Sequence, residues 1–160
     1  PHMLTEMFKS MTGIDMVHIP YRGQAPAVVD QISGQIQLAF NTAIGVMPLI
    51  HAGKLRAVAV STKERFPAMP ELPTVEESGV KGFDGSSWHG IIMPAGVPPE
   101  IVERIYAPVV ANIRSTETRE RLLRDGALPG GSTPAEFTAF IKSESAKWAK
   151  VAQFAKIKAD

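Results

Sequence analysis

The spacing of apolar residues changes several times along this chain, and each change marks an element. Leu4, Met7, Phe8 and Met11 recur at helical spacing, and Gly13 stops that helix. Asp15 to Ile19 alternates and carries Val17 and Ile19, which predicts a strand closed by Pro20. Ala25, Val28, Val29 and Ile32 form a helical stripe, with Pro26 suited to the first turn and Gly34 at the end. Ile36 to Phe40 reads as a second strand, Ala43 to His51 as a helix ended by Gly53, and Leu55 to Val60 as a buried parallel strand. The stretch from Ser61 to Ser87 is rich in Pro and Gly and has little periodicity. It reads as an ordered surface excursion, with Ser61-x-x-Glu64 and Thr74-x-x-Glu77 both fitting capping boxes.

Trp88 to Met93 is the last predicted strand, and the chain beyond it is helical. Pro98-Pro99 opens a helix over Glu100 to Ile113, whose stripe is Ile101, Ile105, Val109 and Ile113. A helix over Thr116 to Arg124 ends at Gly126. Thr133-Pro134-Ala135-Glu136 is the clearest cap in the chain and starts a helix bearing Phe137, Phe140, Ile141, Trp148 and Val151. Strand, helix, strand in the first half is a right-handed parallel crossover, so the class is α/β. The late helices carry wide apolar faces with few strands to cover. Since α/β domains put helices on both faces of a sheet, part of a sheet is expected to be missing on the N-terminal side.

Composition narrows the function classes. The chain has 160 residues, 44% hydrophobic and 21% charged, in the range of a soluble globular protein. A net charge of +1 offers no basic stripe, so nucleic acid is not an expected partner. The absence of cysteine excludes disulfides and thiolate chemistry. His2, His18, His51 and His89 lack the spacing of a helical metal site, and no Gly-rich nucleotide loop occurs, so no metal or cofactor is expected.

Ser86, Ser87, His89 and Asp84 cluster in DGSSWHG, which raises a small α/β hydrolase using Ser87 and His89 as one alternative. The Gly-x-Ser-x-Gly elbow is absent, and the residues lie too close in sequence to converge as a triad usually does, so no catalytic residue is assigned. Binding equipment is better placed. In parallel crossovers ligands collect beyond the carboxyl ends of the strands, and those ends carry Tyr21-Arg22-Gly23 and Asn41-Thr42. The helix opening near Gln24 and the start at Pro1-His2 each offer free N–H groups and a positive dipole end, which favours a carboxylate. Trp88 follows a Gly/Ser turn and is a candidate to line the cleft.

The strings TGIDMVHIPYRG, PAVVDQISGQ, GKLRAVAVST, ELPTVEESG, WHGIIMPAGVP and KWAKVAQFAKIKAD, in this order, resemble the extracytoplasmic solute receptors of tripartite tricarboxylate transporters, the Bug family of periplasmic binding proteins. The resemblance runs from Pro1 to Asp160. It implies a two-lobed Venus-flytrap receptor of type II periplasmic-binding-protein class, which hands a small organic carboxylate to membrane permease subunits and performs no chemistry. It also implies boundaries: residues 1–87 as the second, middle lobe, and residues 88–160 as the hinge strand and the C-terminal helices of the first lobe. The signal peptide and the N-terminal part of that first lobe are then expected outside this chain, which reads as the C-terminal portion of a longer periplasmic receptor.

By the same resemblance the ligand contacts are Pro1, His2, Tyr21, Arg22, Gly23, Asn41 and Thr42, with Trp88 closing the cleft at the hinge. Asn41 stands where family members carry Asp or Asn, and an Asn there suits a cationic amine less well than an Asp. A ligand-sensing regulatory domain of the same two-lobed shape is a further alternative. The apolar faces of the C-terminal helices predict that two copies of this chain pair through them.

Overall fold

The computed structural model describes residues 1–155. Six helices follow in chain order: α1 (His2–Thr12), α2 (Gln24–Ile32), α3 (Ala43–His51), α4 (Pro99–Arg114), α5 (Thr116–Asp125) and α6 (Pro134–Phe154). All six stand where periodicity and punctuation put them, to within two residues at most boundaries. Gly13 and Gly126 end α1 and α5 in the left-handed conformation. The helices in contact are α1 with α6, α2 with α3, α3 with α5, and α4 with α5.

The predicted strands are not realised as a ladder. Among the described residues the only pairing is a parallel bridge between Val60 and Thr74. Residues 15–20, 37–41, 56–59 and 86–97 share no backbone hydrogen bond with another segment. A parallel strand is stable when both edges are paired and both faces are covered. Here the side chains that would fill those faces stand in solvent: Val17 is 84% exposed, Val58 62% and Ile92 81%. Sequence alternation records which side chains belong on a face, and cover for that face must come from elsewhere. The hinge strand expected over Trp88 to Met93 is likewise an unpaired run.

The excursion after Val60 is tied by bonds between residues distant in sequence. Val60 N–H donates to Pro73 O (2.9 Å), Val75 N–H donates to Val60 O (2.9 Å), and Gly85 N–H donates to Ser61 O (2.9 Å). Glu77 then folds the segment on itself. Its carboxylate accepts Thr74 N–H (2.8 Å) and the Arg65 Nε (2.8 Å), while Glu77 N–H donates to Thr74 Oγ1 (3.0 Å). These bonds, Thr74 N–H foremost, hold the Glu77 carboxyl below the usual glutamate range. The Ser61–Glu64 box does not form, and Thr62 Oγ1 donates to Glu64 O instead.

One core cluster gathers Leu4 and Met7 of α1 with Val75 and the fully buried Phe83. Phe8, Phe40 and Phe83 stack and tilt against one another at about 6 Å between ring centres. Truncating such a Phe to Ala costs about 3–5 kcal/mol. Trp148 and Val151 of α6 complete this cluster, so the last helix returns to the core of the first half. Its buried carboxylate, Glu144, is satisfied by Trp148 Nε1 (2.9 Å) and Lys147 Nζ. A second cluster packs Met47 of α3 on Phe66 and Met69.

Candidate functional site

Two helix starts meet at one place. Gly23 precedes α2 with φ 104, a conformation only glycine adopts at little cost. Thr42 precedes α3 in an extended conformation. The side chain of Gln24, the first residue of α2, spans the two: its Nε2 donates to Thr42 O (3.2 Å), and Thr42 Oγ1 donates to Gln24 Oε1 (2.5 Å). The Gln24 amide lies flat on α3, where a β-carbon at Gly45 would stand within 2.9 Å of it.

With its hydroxyl turned to Gln24, Thr42 does not cap α3. Neither α2 nor α3 has a side-chain cap or an acidic residue in its first turn. The first N–H groups of a helix have no partner inside it, and the dipole gives that end a partial positive charge. Two such starts tied side by side can receive the oxygens of an anion.

The other residues singled out from the sequence are distributed around this pair. Tyr21 and Asn41 are half-buried, and both lean on α2. Tyr21 Oη donates to Asp30 Oδ2 (2.8 Å), which holds the phenol above its usual range, and Asn41 Nδ2 donates to Gln31 Oε1 (2.9 Å). Arg22 is exposed and makes no ion pair among the described residues. Pro1 and His2 open α1, which also lacks a side-chain cap and a first-turn acid. The His2 ring stacks on His18 at 4.0 Å and 10°. His18 stands three residues before Tyr21, so the stack ties the α1 start to the run that leads into the mouth. Burial, then the neighbouring His2, pushes the His18 pKa down.

The contacts of Trp88 lie on α6. Its ring meets Phe137 (5.6 Å) and Phe140 (5.3 Å) edge to face, and Gly90 approaches Phe137 too closely for any β-carbon. The structure thus brings together Gly23, Thr42 and, through α2, Tyr21 and Asn41, and it packs Trp88 against α6 instead. Gln24, the bridge between the starts, was not among the residues singled out. A polar residue directly after the glycine that opens a helix was the available signal. Two open hollows, of about 560 and 360 Å³, lie elsewhere: one against Lys54, Arg56 and Glu71, the other between Lys9 and Phe154.

The hydrolase constellation does not assemble among the described residues. Ser87 and His89 are both exposed, and no hydrogen bond joins them to each other or to Asp84, whereas a nucleophile needs a base within reach. No group of three potential metal ligands is found among the described residues.

The chain matches the family described as TctC, tripartite tricarboxylate transporter family receptor, over residues 1–157. Its fold is that of periplasmic solute-binding proteins. The structure of R. palustris Rpa4515 with adipate is 37% identical with a TM-score of 0.90, covering 97% of this chain and 52% of that one. The periplasmic binding protein BugD is 30% identical with a TM-score of 0.84, covering 99% and 54%. MatC from Rhodopseudomonas palustris with bound malate is 26% identical with a TM-score of 0.82, covering 94% and 52%. The chain spans about half the length of these proteins, and 45% and 46% of two curated relatives that match it. These are receptors that hold solutes, a class apart from enzymes. The chain belongs to the tripartite tricarboxylate transporter receptor family, the Bug proteins.

Proposed function

We propose that this chain is one half of a periplasmic receptor that binds a small organic carboxylate and delivers it to the membrane permease subunits of a tripartite tricarboxylate-type transporter. One observation carries the reading: the starts of α2 and α3 are stitched together by Gln24 and Thr42 and left without caps or acids. Side chains that complete a helix start would compete with a ligand carboxylate for the same N–H groups. The dicarboxylates in Rpa4515 and MatC, adipate and malate, are of the class such a site accepts.

In this reading residues 1–87 form the second lobe and carry the mouth, with Gly23 and Thr42 at its centre, Tyr21, Arg22 and Asn41 around it, and Pro1 and His2 reaching it through His18. Residues 88–160 supply the hinge run and the C-terminal helices of the first lobe. The packing of Trp148 on Leu4 supports a last helix that reaches across that boundary. Trp88, seated on Phe137 and Phe140, acts on the cleft as the hinge that α6 holds.

The test is a nuclear magnetic resonance titration of the 160-residue chain with sodium adipate against sodium chloride of equal ionic strength. The amides of Gln24, Ala43 and Ile44 should shift saturably in the millimolar range, since only one side of the cleft is supplied. Shifts absent from these amides, or identical with chloride, defeat the reading. We also propose that copies of this chain pair through Ile101, Ile105 and Phe140, which remain partly exposed. Light scattering that returns the mass of one chain at high concentration would refute the pairing.

A further inference from the structure

Three helices begin at a hydroxyl residue in extended conformation: α3 at Thr42, α5 at Ser115 and α6 at Thr133. That backbone suits a capping hydroxyl, whose oxygen turns back to accept an N–H of the first turn. Ser115 and Thr133 do this, accepting Thr118 N–H (3.3 Å) and Glu136 N–H (3.3 Å). Thr42 does not, and what differs is its neighbour. Its hydroxyl donates to Gln24 Oε1, while Gln24 Nε2 donates to Thr42 O, so both ends of one amide engage a residue eighteen positions away. The amide reaches Thr42 over Gly45, where a β-carbon would stand 2.8 Å from Nε2 and 2.9 Å from Oε1. Glycine within a helix is less stable there than alanine. Gly45 therefore gives Gln24 its seat at some cost to α3.

We propose that Gln24 is a positioning residue: it withholds Thr42 from its ordinary place as the cap of α3, and so keeps that helix start open to a carboxylate. The inference rests on the carboxylate-receptor reading. Released from Gln24, the Thr42 hydroxyl can turn back as Ser115 and Thr133 do, and accept Ile44 N–H or Gly45 N–H. Its oxygen then lies where a ligand oxygen would lie, and the ligand must displace it. The Gln24 side chain thus acts on the ligand through Thr42. A residue whose removal lets its neighbour close the site differs from one that merely joins two helices, because taking away the neighbour's hydroxyl should reopen the site.

The experiment compares Gln24→Ala with the double variant Gln24→Ala/Thr42→Val in the full 160-residue chain. Three-bond couplings read the Thr42 rotamer, amide hydrogen exchange reads a new cap at Ile44 or Gly45, and sodium adipate is the probe. Gln24→Ala should turn the Thr42 rotamer, slow exchange at one of those amides, and weaken the adipate response about fivefold, the strength of an ordinary cap. Adding Thr42→Val, which cannot cap, should strengthen the response again, by at least about threefold over Gln24→Ala alone. A further loss on that second substitution overturns the assignment, because it is what a purely structural bridge requires. Gly45→Ala drives the Gln24 amide from its seat and should reproduce Gln24→Ala. It replaces that variant if circular dichroism shows the latter unfolded. An unturned Thr42 in Gln24→Ala overturns the withheld cap. A turned Thr42 with an undiminished adipate response overturns its bearing on the mouth. A wild-type chain with no adipate response overturns the receptor reading and the open start together, while the rotamer still reports whether Gln24 withholds the cap.

Discussion

The first three helices and the last three begin differently. Helices α4, α5 and α6 each have a glutamate in the first turn: Glu100, Glu117 and Glu136. Two of them also have a side-chain cap, Ser115 Oγ accepting Thr118 N–H and Thr133 Oγ1 accepting Glu136 N–H. Helices α1, α2 and α3 have no first-turn acid and no side-chain cap. Leaving a side-chain cap out costs about 1 kcal/mol, or a few tenths where glycine stands at the cap, so the three bare starts forgo stability that α5 and α6 secure. The bare starts belong to the half in which the ligand mouth is proposed. A helix start completed by its own side chains serves the fold, and one left open stays available to a ligand.

Filling one of the bare starts should produce the largest change. Ala25 is exposed in the first turn of α2, with no side-chain partner to disturb. Ala25→Asp should stabilise the chain by about 0.3–1 kcal/mol through the helix dipole. It should also weaken the adipate response about tenfold, because an internal carboxylate now competes for the same amides. A thermal melt read beside the resonance titration separates the two effects. Equal adipate affinity in Ala25→Asp and the wild type would mean that the bareness of α2 has no bearing on binding.

Emptying a filled start should act in the opposite sense and touch stability alone. Thr133→Ala removes the acceptor for Glu136 N–H and half of a reciprocal box. The expected cost is about 1 kcal/mol, or roughly 2–4 °C in melting temperature for a chain of this size. The adipate-induced shifts at Gln24, Ala43 and Ile44 should be unchanged. A Thr133→Ala variant that lost the adipate response while remaining folded would erase the distinction between the two kinds of start.

How much of this was legible in the sequence follows from how local each feature is. The Thr133–Glu136 and Thr74–Glu77 boxes were readable because a cap is made by residues three apart, whatever lies around them. Ser61–Glu64 has the same spacing and does not form; no helix follows it, and the segment is tied instead through Gly85 N–H to Ser61 O, a partner no local window contains. Of the four apolar runs that read as strands, only Val60 pairs among the described residues, with Thr74, because pairing depends on segments far away in the chain. Trp88 was read as a cleft residue because a strand after a turn often lines one. Its partners, Phe137 and Phe140, are some fifty residues away and became visible only in the fold. Gly23 and Thr42 stand out as positions, but the bond that makes them one site runs through Gln24, whose place after the opening glycine marks it as polar without naming its partner eighteen residues on.

The smallest expected effect distinguishes the two kinds of start by where they respond to pH. At α6 the box holds the Glu136 carboxyl below its usual range, Thr133 N–H being the main cause, and the Thr74 turn does the same for Glu77. A carboxylate with a depressed folded value contributes stability that is complete above the ordinary glutamate range of about 4.3 and is lost as pH falls through the folded value. At the bare start of α1 burial lowers the pKa of the Pro1 amine, and the side chain that responds is His18. It is lowered by burial and by the facing His2, raised by Glu6 and lowered again by Lys9. A histidine whose folded value is depressed binds its proton more readily in the unfolded chain, so its contribution is also lost on acidification, but in a window that begins near about 6.5. Melting temperature should therefore fall in two steps on acidification. His18→Gln should flatten the first step and leave the second, and Glu136→Gln should shrink the second and leave the first. A single step that both variants alter equally would show that the two ends of the chain respond to protons as one unit, and the contrast between them would not extend to their electrostatics.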